Sequence, residues 1–485
     1  MKKRHFLHIL FVFITTLLSG QEQIGLKMSN YGGISSIGMN PAWSVNGPLQ
    51  WDINILSAGF FFDNDYLYVE KGSLLKFITG QDRIIPDPAI KEPKKGIENP
   101  IFYNYEDRYK TYDLYQTLNI TGPSVMFNLP NHSFGAYFGV REMFYHHKIA
   151  KDFGYYFFSD SATEQMTTEP FRTGLMTWGE FGINYGTAVL NNDLQEFSIG
   201  VTAKYLWGYD AILGISNEDA TIVKIDDGVK IASSNVDLSY ATNYSYDYEN
   251  DDWKYKLKKN GNGMGLDLGF VYTNKVTTNL DQPHKLKLGI SLLDIGYINY
   301  KNNAVVNYYD RDDTVTFLND DFKEVRDLDL FIKTVGAIAY GDSLATITGN
   351  QFKARLPMTV AFQSDFAVVD RFYISAMGNF RLPSKVLGVD RENMIAITPR
   401  YETRKWEVGA PFILYDLKRP RVGGYLRLWY VTLGSDNFLS LLTPTPKWSG
   451  SDFYIAFKVS PSKEIEYLRD KKKGKAPKYF RCPKF

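Results

Sequence analysis

Along most of this chain apolar residues recur at every second position, with polar residues or glycine between them. A period of two puts the two sets on opposite faces of an extended strand. Trp51, Ile53 and Ile55 oppose Asp52 and Asn54, and Phe134, Ala136, Phe138 and Val140 oppose Ser133, Gly135, Gly139 and Arg141. Phe197, Ile199, Val201, Ala203 and Tyr205 oppose Ser198, Gly200, Thr202 and Lys204. Met264, Leu266, Leu268, Phe270 and Tyr272 oppose Gly265, Asp267 and Gly269, and Phe453, Ile455, Phe457 and Val459 close the series. Many runs are ten residues or longer, which suits tilted membrane strands of ~9–11 residues better than soluble strands of ~5–6. Short connections such as Leu129–Asn131, Asn191–Asp193 and Val368–Asp370 alternate with long ones at 63–113, 146–173, 210–261 and 300–354. That asymmetry is what short periplasmic turns and long extracellular loops produce.

About thirteen such runs are visible, and a barrel with both termini on the periplasmic side needs an even number. Val236, Leu238 and Tyr240, alternating with Asn235, Asp237 and Ser239, are the best candidate for the missing one. The chain is therefore expected to be all-β, a transmembrane antiparallel β-barrel of about 14 strands, with 12 and 16 as alternatives. A soluble β-sandwich with one wet face would alternate in the same way, but its strands would be shorter and its connections less uneven.

Composition points the same way. The 34 Tyr, 33 Phe and 8 Trp can supply interfacial girdles, and 39 Gly allow close approach inside the wall. The net charge of +1 gives no field for nucleic acid. The single cysteine, Cys482, excludes an internal disulfide and any cysteine-based metal site. Lys2, Lys3 and Arg4 precede an apolar run from Phe6 to Leu18, with small residues at Ser19 and Gly20 and a polar restart at Gln21. This reads as a secretory signal peptide over 1–20, too short to cross a bilayer as a helix, and it directs the chain to the outer membrane. After Arg469 the chain becomes basic, through Lys471, Lys472, Lys473, Lys475, Lys478, Arg481 and Lys484, and residues 463–485 are expected to form a periplasmic tail.

Candidate chemistry is sparse. No nucleophile elbow, phosphate loop or zinc-protease motif occurs, and no catalytic residue, cofactor or metal site is expected. His146-His147 lacks visible further ligands and reads as a solvated strand end. The acidic groups Asp63/Asp65, Glu249/Asp251/Asp252 and Asp310/Asp312/Asp313 read as solvated loop charge, with divalent-ion bridging to lipopolysaccharide as the alternative. Glu180, Asn184, Lys204, Asp267 and Arg427 should face the lumen, because a charge facing lipid at mid-bilayer costs ~2–4 kcal/mol.

Ahead of the first strand lies Tyr31-Gly-Gly-Ile-Ser-Ser-Ile-Gly-Met-Asn-Pro-Ala-Trp43. Its Asn40-Pro41-Ala42 resembles the segment preceding the barrel in the FadL-like outer-membrane family, including its PorV-like Bacteroidota branch. The resemblance to a poorly characterised Bacteroidota family of exported barrels is closer. It is carried by Gly38–Ala42, Trp51–Asn54, Asn64–Tyr66, Gly265–Gly269, Leu293–Gly296 and Gly434–Asn437. The resemblance implies a barrel over 50–462 whose segment 21–49 folds into the lumen as a hatch, with Gly33, Ser35, Ser36, Gly38, Asn40, Pro41 and Ala42 as its candidate residues. It also implies passage of a small hydrophobic molecule or, alternatively, a non-transporting partner in outer-membrane assembly or type IX secretion. The fatty-acid cargo of FadL is not carried over. Expected partners are outer-membrane lipid and lipopolysaccharide, a hydrophobic small molecule and an envelope protein.

Overall fold

A computed structural model describes residues 22–79, 83–85, 100–105, 108–153, 165–276 and 283–460. The signal segment and the basic tail lie outside the described residues. Antiparallel pairing runs unbroken around a ring of 14 staves and closes where Trp51–Asn64 bonds both Thr111–Leu129 and Gly450–Val459. Between these come His132–Ala150, Arg172–Asn191, Gln195–Ser216, Gly261–Lys275, His284–Tyr300, Thr359–Val369, Phe372–Arg381 and Met394–Glu402. The last staves are broken or short: Trp406–Gly409 with Phe412–Tyr415, Arg419–Val422 with Gly424–Leu428, then Val431–Ser435.

The wall is inside out relative to a soluble protein. Ile183, Phe197, Ile199, Phe270, Ile290, Phe362 and Phe457 are exposed on its outer face, while Ser133, Ser198, Thr202, Lys204, Asp267 and Gln363 are buried within. Only a hydrocarbon surround makes that arrangement favourable, and closure of the ring leaves no unpaired edge for lipid to face. Among the described residues no helix is long and apolar enough to cross a membrane, so the strands are what span it.

Two details differ from the sequence expectation. Residues 420–433, whose alternation taken alone reads as a single strand, hold parts of two staves joined by a turn at Trp429-Tyr430 with Trp429 at φ 46°. Neither glycine, proline nor asparagine marks that turn, so the alternation reads straight through it. Ser234–Ala241 is no separate stave. It pairs with the upper parts of Gln195–Ser216 and Ala304–Arg311, directly above Gly261–Lys275.

Four consecutive staves between Thr111 and Ser216 run 19 to 22 residues, far more than a crossing requires, so the wall rises past the membrane on the side of the long loops. There it carries two four-stranded sheets, a hairpin of Tyr244–Asp247 with Asp252–Tyr255, and a helix at Leu328–Tyr340. Asp327 caps that helix by accepting from the Leu330 amide, and Gly341 ends it at φ 76°.

Candidate functional site: the filled lumen

Residues 22–49 form no stave. They run through the lumen as one short α-turn, Ile24–Lys27, a 3-10 segment, Gly33–Gly38, and irregular chain, and most are buried. The segment is deepest at its start. Glu22 pairs with Arg391 of an outer loop at 3.4 Å, the Gly25 amide donates to Tyr454 Oη at 3.1 Å, and Ser29 Oγ donates to Glu407 at 2.7 Å. It then descends to Asn46, whose amide reaches Glu196 at 2.9 Å beside the short turn at Asn131.

Asn40-Pro41-Ala42 sits against a bare patch of wall. A Cβ on Gly200 would lie 2.4 Å from the Pro41 carbonyl carbon, and one on Gly269 would lie 2.2 Å from Asn40 Oδ1. Gly186 and Gly289 line the same seat. The glycines at lumen-facing positions of four staves thus let the backbone of the segment meet the backbone of the wall. Asn40 Oδ1 accepts from the Ala42 amide at 3.0 Å, and its Nδ2 donates to the carbonyls of Phe270 and Ile290 and to Gln363 Oε1 at 3.0–3.2 Å. Asn184 donates to the Pro41 carbonyl at 3.2 Å. Lys287 Nζ donates to the Trp43 carbonyl at 2.5 Å and stands 4.4 Å above the Trp43 ring. Gly33 has φ 55° and lies against Asp52, and its carbonyl accepts from Ser44. Ser36 is buried and donates to the Lys27 carbonyl, Ser35 is half-buried, and Gly38 is exposed with open space beside it.

Above this segment Glu180, Lys204 and Asp267 come together around a residue that sequence reading did not single out as a site. Asp294 accepts from Arg141 at 2.8 and 2.9 Å, from Lys204 at 2.7 Å and from Arg391 at 3.0 Å, and its own amide donates to Asp267 at 2.7 Å. Glu180 completes the group, 3.5 Å from Arg141, and accepts from Trp178 Nε1. The sequence carried a signal for this hub. Asp294 shares the parity of Leu288, Ile290 and Leu292, which face outward, and a carboxylate there would stand in lipid. A β-bulge resolves the conflict. One extra residue between Leu292 and Ile295, with Asp294 at φ 56° and Gly296 at φ 155°, turns the carboxylate inward.

Arg427 belongs to a second group. It donates to Glu407 at 3.1 Å and stacks 4.6 Å above Tyr31, while neighbouring Arg400 pairs with Asp365 at 2.6 Å and Glu402 at 3.1 Å. Such networks are strongly destabilised when one partner is removed, because the others stay buried and unpaired.

The outer half of the lumen holds an apolar cluster beside its ion pairs. Met143, Met176, Trp178, Leu213, Tyr300 and Leu356 are almost wholly buried in one cluster with Ile24 and Met28 of the lumenal segment. The connection 382–393 folds inward over it, placing Val389 in the same cluster. It is held by Tyr145 Oη donating to the Gly388 carbonyl, by Asp390 against Arg355 and His147, by Arg391 on Asp294, and by Glu392 on Arg419. Burial would raise the Asp390 carboxyl, but the hydrogen bond from His147 and the Arg355 guanidinium hold it below the usual carboxylate range.

His147 is therefore no solvated strand end. It is buried between Asp113 and Asp390, because the staves extend beyond the membrane and parity turns it inward; His146 is half-buried against Phe171. Asp63 is likewise not loop charge but a buried partner of Arg419 and Arg421. Among the described residues no group of three or more His, Cys, Asp or Glu is arranged to hold a metal ion.

Ring closure, an apolar outer face and a filled polar lumen together define a plugged transmembrane β-barrel of the outer-membrane type. The chain belongs to the family of unknown function DUF5723, which it matches over residues 41–436. No curated protein matches it. Among solved structures it is similar to the Ralstonia pickettii toluene transporter TbuX (10% identity, 92% of this chain and 99% of that one, TM-score 0.40). A deltaS2S3 mutant of the monoaromatic hydrocarbon channel TodX also aligns (10%, 93% and 98%, 0.40), as does a Pseudomonas aeruginosa FadL homologue (8%, 92% and 98%, 0.29).

Proposed function

We propose that this protein is a gated outer-membrane barrel for passage of a small hydrophobic molecule, exported by the signal segment at its start. The hatch residues Gly33, Ser35, Ser36, Gly38, Asn40, Pro41 and Ala42 would form the inner closure, and loop 382–393 the outer one. One observation carries this reading. The apolar, methionine- and aromatic-lined layer lies between two closures that are not part of the wall, and methionine surfaces repack readily around varied apolar guests. A barrel that had only to be filled could do so with wall side chains. Glu180, Lys204 and Asp267 would act through the Asp294 hub, which joins the two closures at Arg391 and Glu22. Asn184 and Arg427 would hold the inner closure to the wall.

A second reading, a non-transporting partner in envelope assembly, draws on the number of buried bonds that hold segment 22–49. Each contributes about 0.5–1.5 kcal/mol, and all those at one closure must break for it to open. A bridge between closure and wall separates the two. In a Cys482→Ser background, Asn46→Cys and Asn131→Cys are joined by a cleavable thiol cross-linker, and uptake of an apolar dye into protein-containing vesicles is followed. Passage predicts uptake that stops on bridging and returns on cleavage. Uptake no greater than in protein-free vesicles in every state would favour the partner reading.

A further inference from the structure

We infer that the outer rim of the barrel, around the start of stave Gly261–Lys275, binds the phosphorylated sugar headgroup of a glycolipid in the outer leaflet. The inference does not depend on whether anything crosses the lumen.

The membrane boundary can be read here from the outward residues. On His284–Tyr300 the outward positions are apolar from Leu286 to Ile295, and Tyr297 ends the series. On Gln195–Ser216 the same band ends in Tyr205 and Trp207, whose rings meet edge to face at 5.1 Å. Aromatic rings at the end of an apolar band mark the headgroup level.

Directly at and above that level stand Lys258, Lys259, Lys301 and Lys353, all exposed. Backbone pairing makes them neighbours. Gly261 pairs with Tyr300, the amides of Lys301 and Asn302 donate to the Asn260 carbonyl at 3.0 and 3.1 Å, and Lys353 pairs with Asn299. Lys353 Nζ lies 4.9 Å above the Tyr297 ring, so its stem follows the belt and its charge sits at the interface. Among the described residues none of the four forms an ion pair. That contrasts with the lumen, where lysines such as Lys204 and Lys458 are matched to carboxylates. Unmatched cations repel one another, and their closeness at headgroup depth calls for an anion.

The sugar part of the assignment comes from the adjoining hairpin. Tyr244 and Tyr255 face each other across its base with ring centroids 4.6 Å apart, 41% and 46% exposed. Tyr255 is held by a 2.9 Å hydrogen bond to Asp210. The hairpin's acidic residues lie at its far end, where Asp247 pairs with Asp252. Rigid, half-exposed rings with polar edges suit the C–H face of a sugar ring, and the lysines beside them suit its phosphates.

Delipidated full-length protein in detergent, titrated with diphosphoryl lipid A and read by native mass spectrometry, tests the proposal. The change of all four lysines to alanine should lower lipid A occupancy by more than about tenfold, whereas the change of all four to arginine should retain it. Tyr244→Ala with Tyr255→Ala should weaken lipid A but leave phosphatidylglycerol unaffected, and millimolar inorganic phosphate should not displace lipid A. Heat-modifiable migration confirms that each variant is folded. Undiminished binding by a folded alanine variant overturns the site. Displacement by inorganic phosphate, or equal weakening of both lipids by the tyrosine changes, overturns the glycolipid assignment.

Discussion

The two halves of the lumen are filled by different means. In the inner half, backbone meets backbone, with glycines at lumen-facing positions making room for Asn40-Pro41-Ala42. In the outer half, large side chains meet one another and a folded-in connection is tied down by ion pairs. The inner arrangement tolerates no added atom at its contact points, while the outer one tolerates changes of volume but no loss of charge partner. Charge matching runs through both halves, since Arg400 with Asp365 and Lys458 with Asp52 lie in the inner one, but close backbone fit is confined to the inner half, and Asp294 stands where the two meet.

Removing that junction should have the largest effect. Asp294→Ala takes from Arg141, Lys204 and Arg391 the one carboxylate they share, leaving each with a single acidic partner, and should cost about 3–5 kcal/mol, seen as a lower denaturant midpoint for the reconstituted barrel. The same variant should loosen the folded-in connection and speed protease cleavage at Lys385 and Val386, which are exposed but held by their neighbours' bonds. If protection there is unchanged, the two halves are not joined through this residue.

Neighbouring positions on one stave distinguish the wall's two faces. Val201→Arg, on the outer face near the middle of its band, should cost about 2–4 kcal/mol and impair insertion, without disturbing the lumen once inserted. Gly200→Val, one residue away, should insert normally and cost about 1–3 kcal/mol by overpacking against Pro41. Residues 22–49 should then become accessible to an aqueous label introduced at Ser35→Cys, in the Cys482→Ser background. The smallest rise in labelling at Ser35→Cys is expected for Asn40→Ala, which adds no bulk but loses the bonds to Ala42, Phe270, Ile290 and Gln363, at about 0.5–1.5 kcal/mol each. A rise in labelling for Asn40→Ala larger than that for Gly200→Val would mean that hydrogen bonds, not close fit, hold the inner half.

The wall was legible in the sequence because its signal is local. Each of Phe197, Ile199, Val201 and Tyr205 announces its face through the residue beside it. The turn at Trp429-Tyr430 escaped because it uses no breaker residue, and the placement of Ser234–Ala241 escaped because stacking above another stave is not encoded in either strand alone. Glu180, Lys204 and Asp267 could be nominated as polar alternates, but their meeting point could not. Asp294, Arg141 and Arg391 are brought together from far apart in the chain, and only the bulge at Leu293–Gly296, with an acid at lipid-facing parity, hinted at it. His147 and Asp63 were read as solvated because the rise of the staves beyond the membrane follows from strand length, which loop composition conceals.

The seam of the ring bears on how the molecule can be assembled. The last stave, Gly450–Val459, supplies Tyr454 to the Gly25 amide and Lys458 to Asp52 and to the carbonyls of Tyr31 and Gly32, and it also pairs with the first stave. The pocket that receives residues 25–32 is therefore incomplete until the stave Gly450–Val459 is in place. Threading segment 22–49 into a finished cylinder would mean dragging buried charges past a wall already bonded shut. Closing the cylinder around a segment already in place avoids that barrier, so the first and last staves are expected to meet with segment 22–49 already between them.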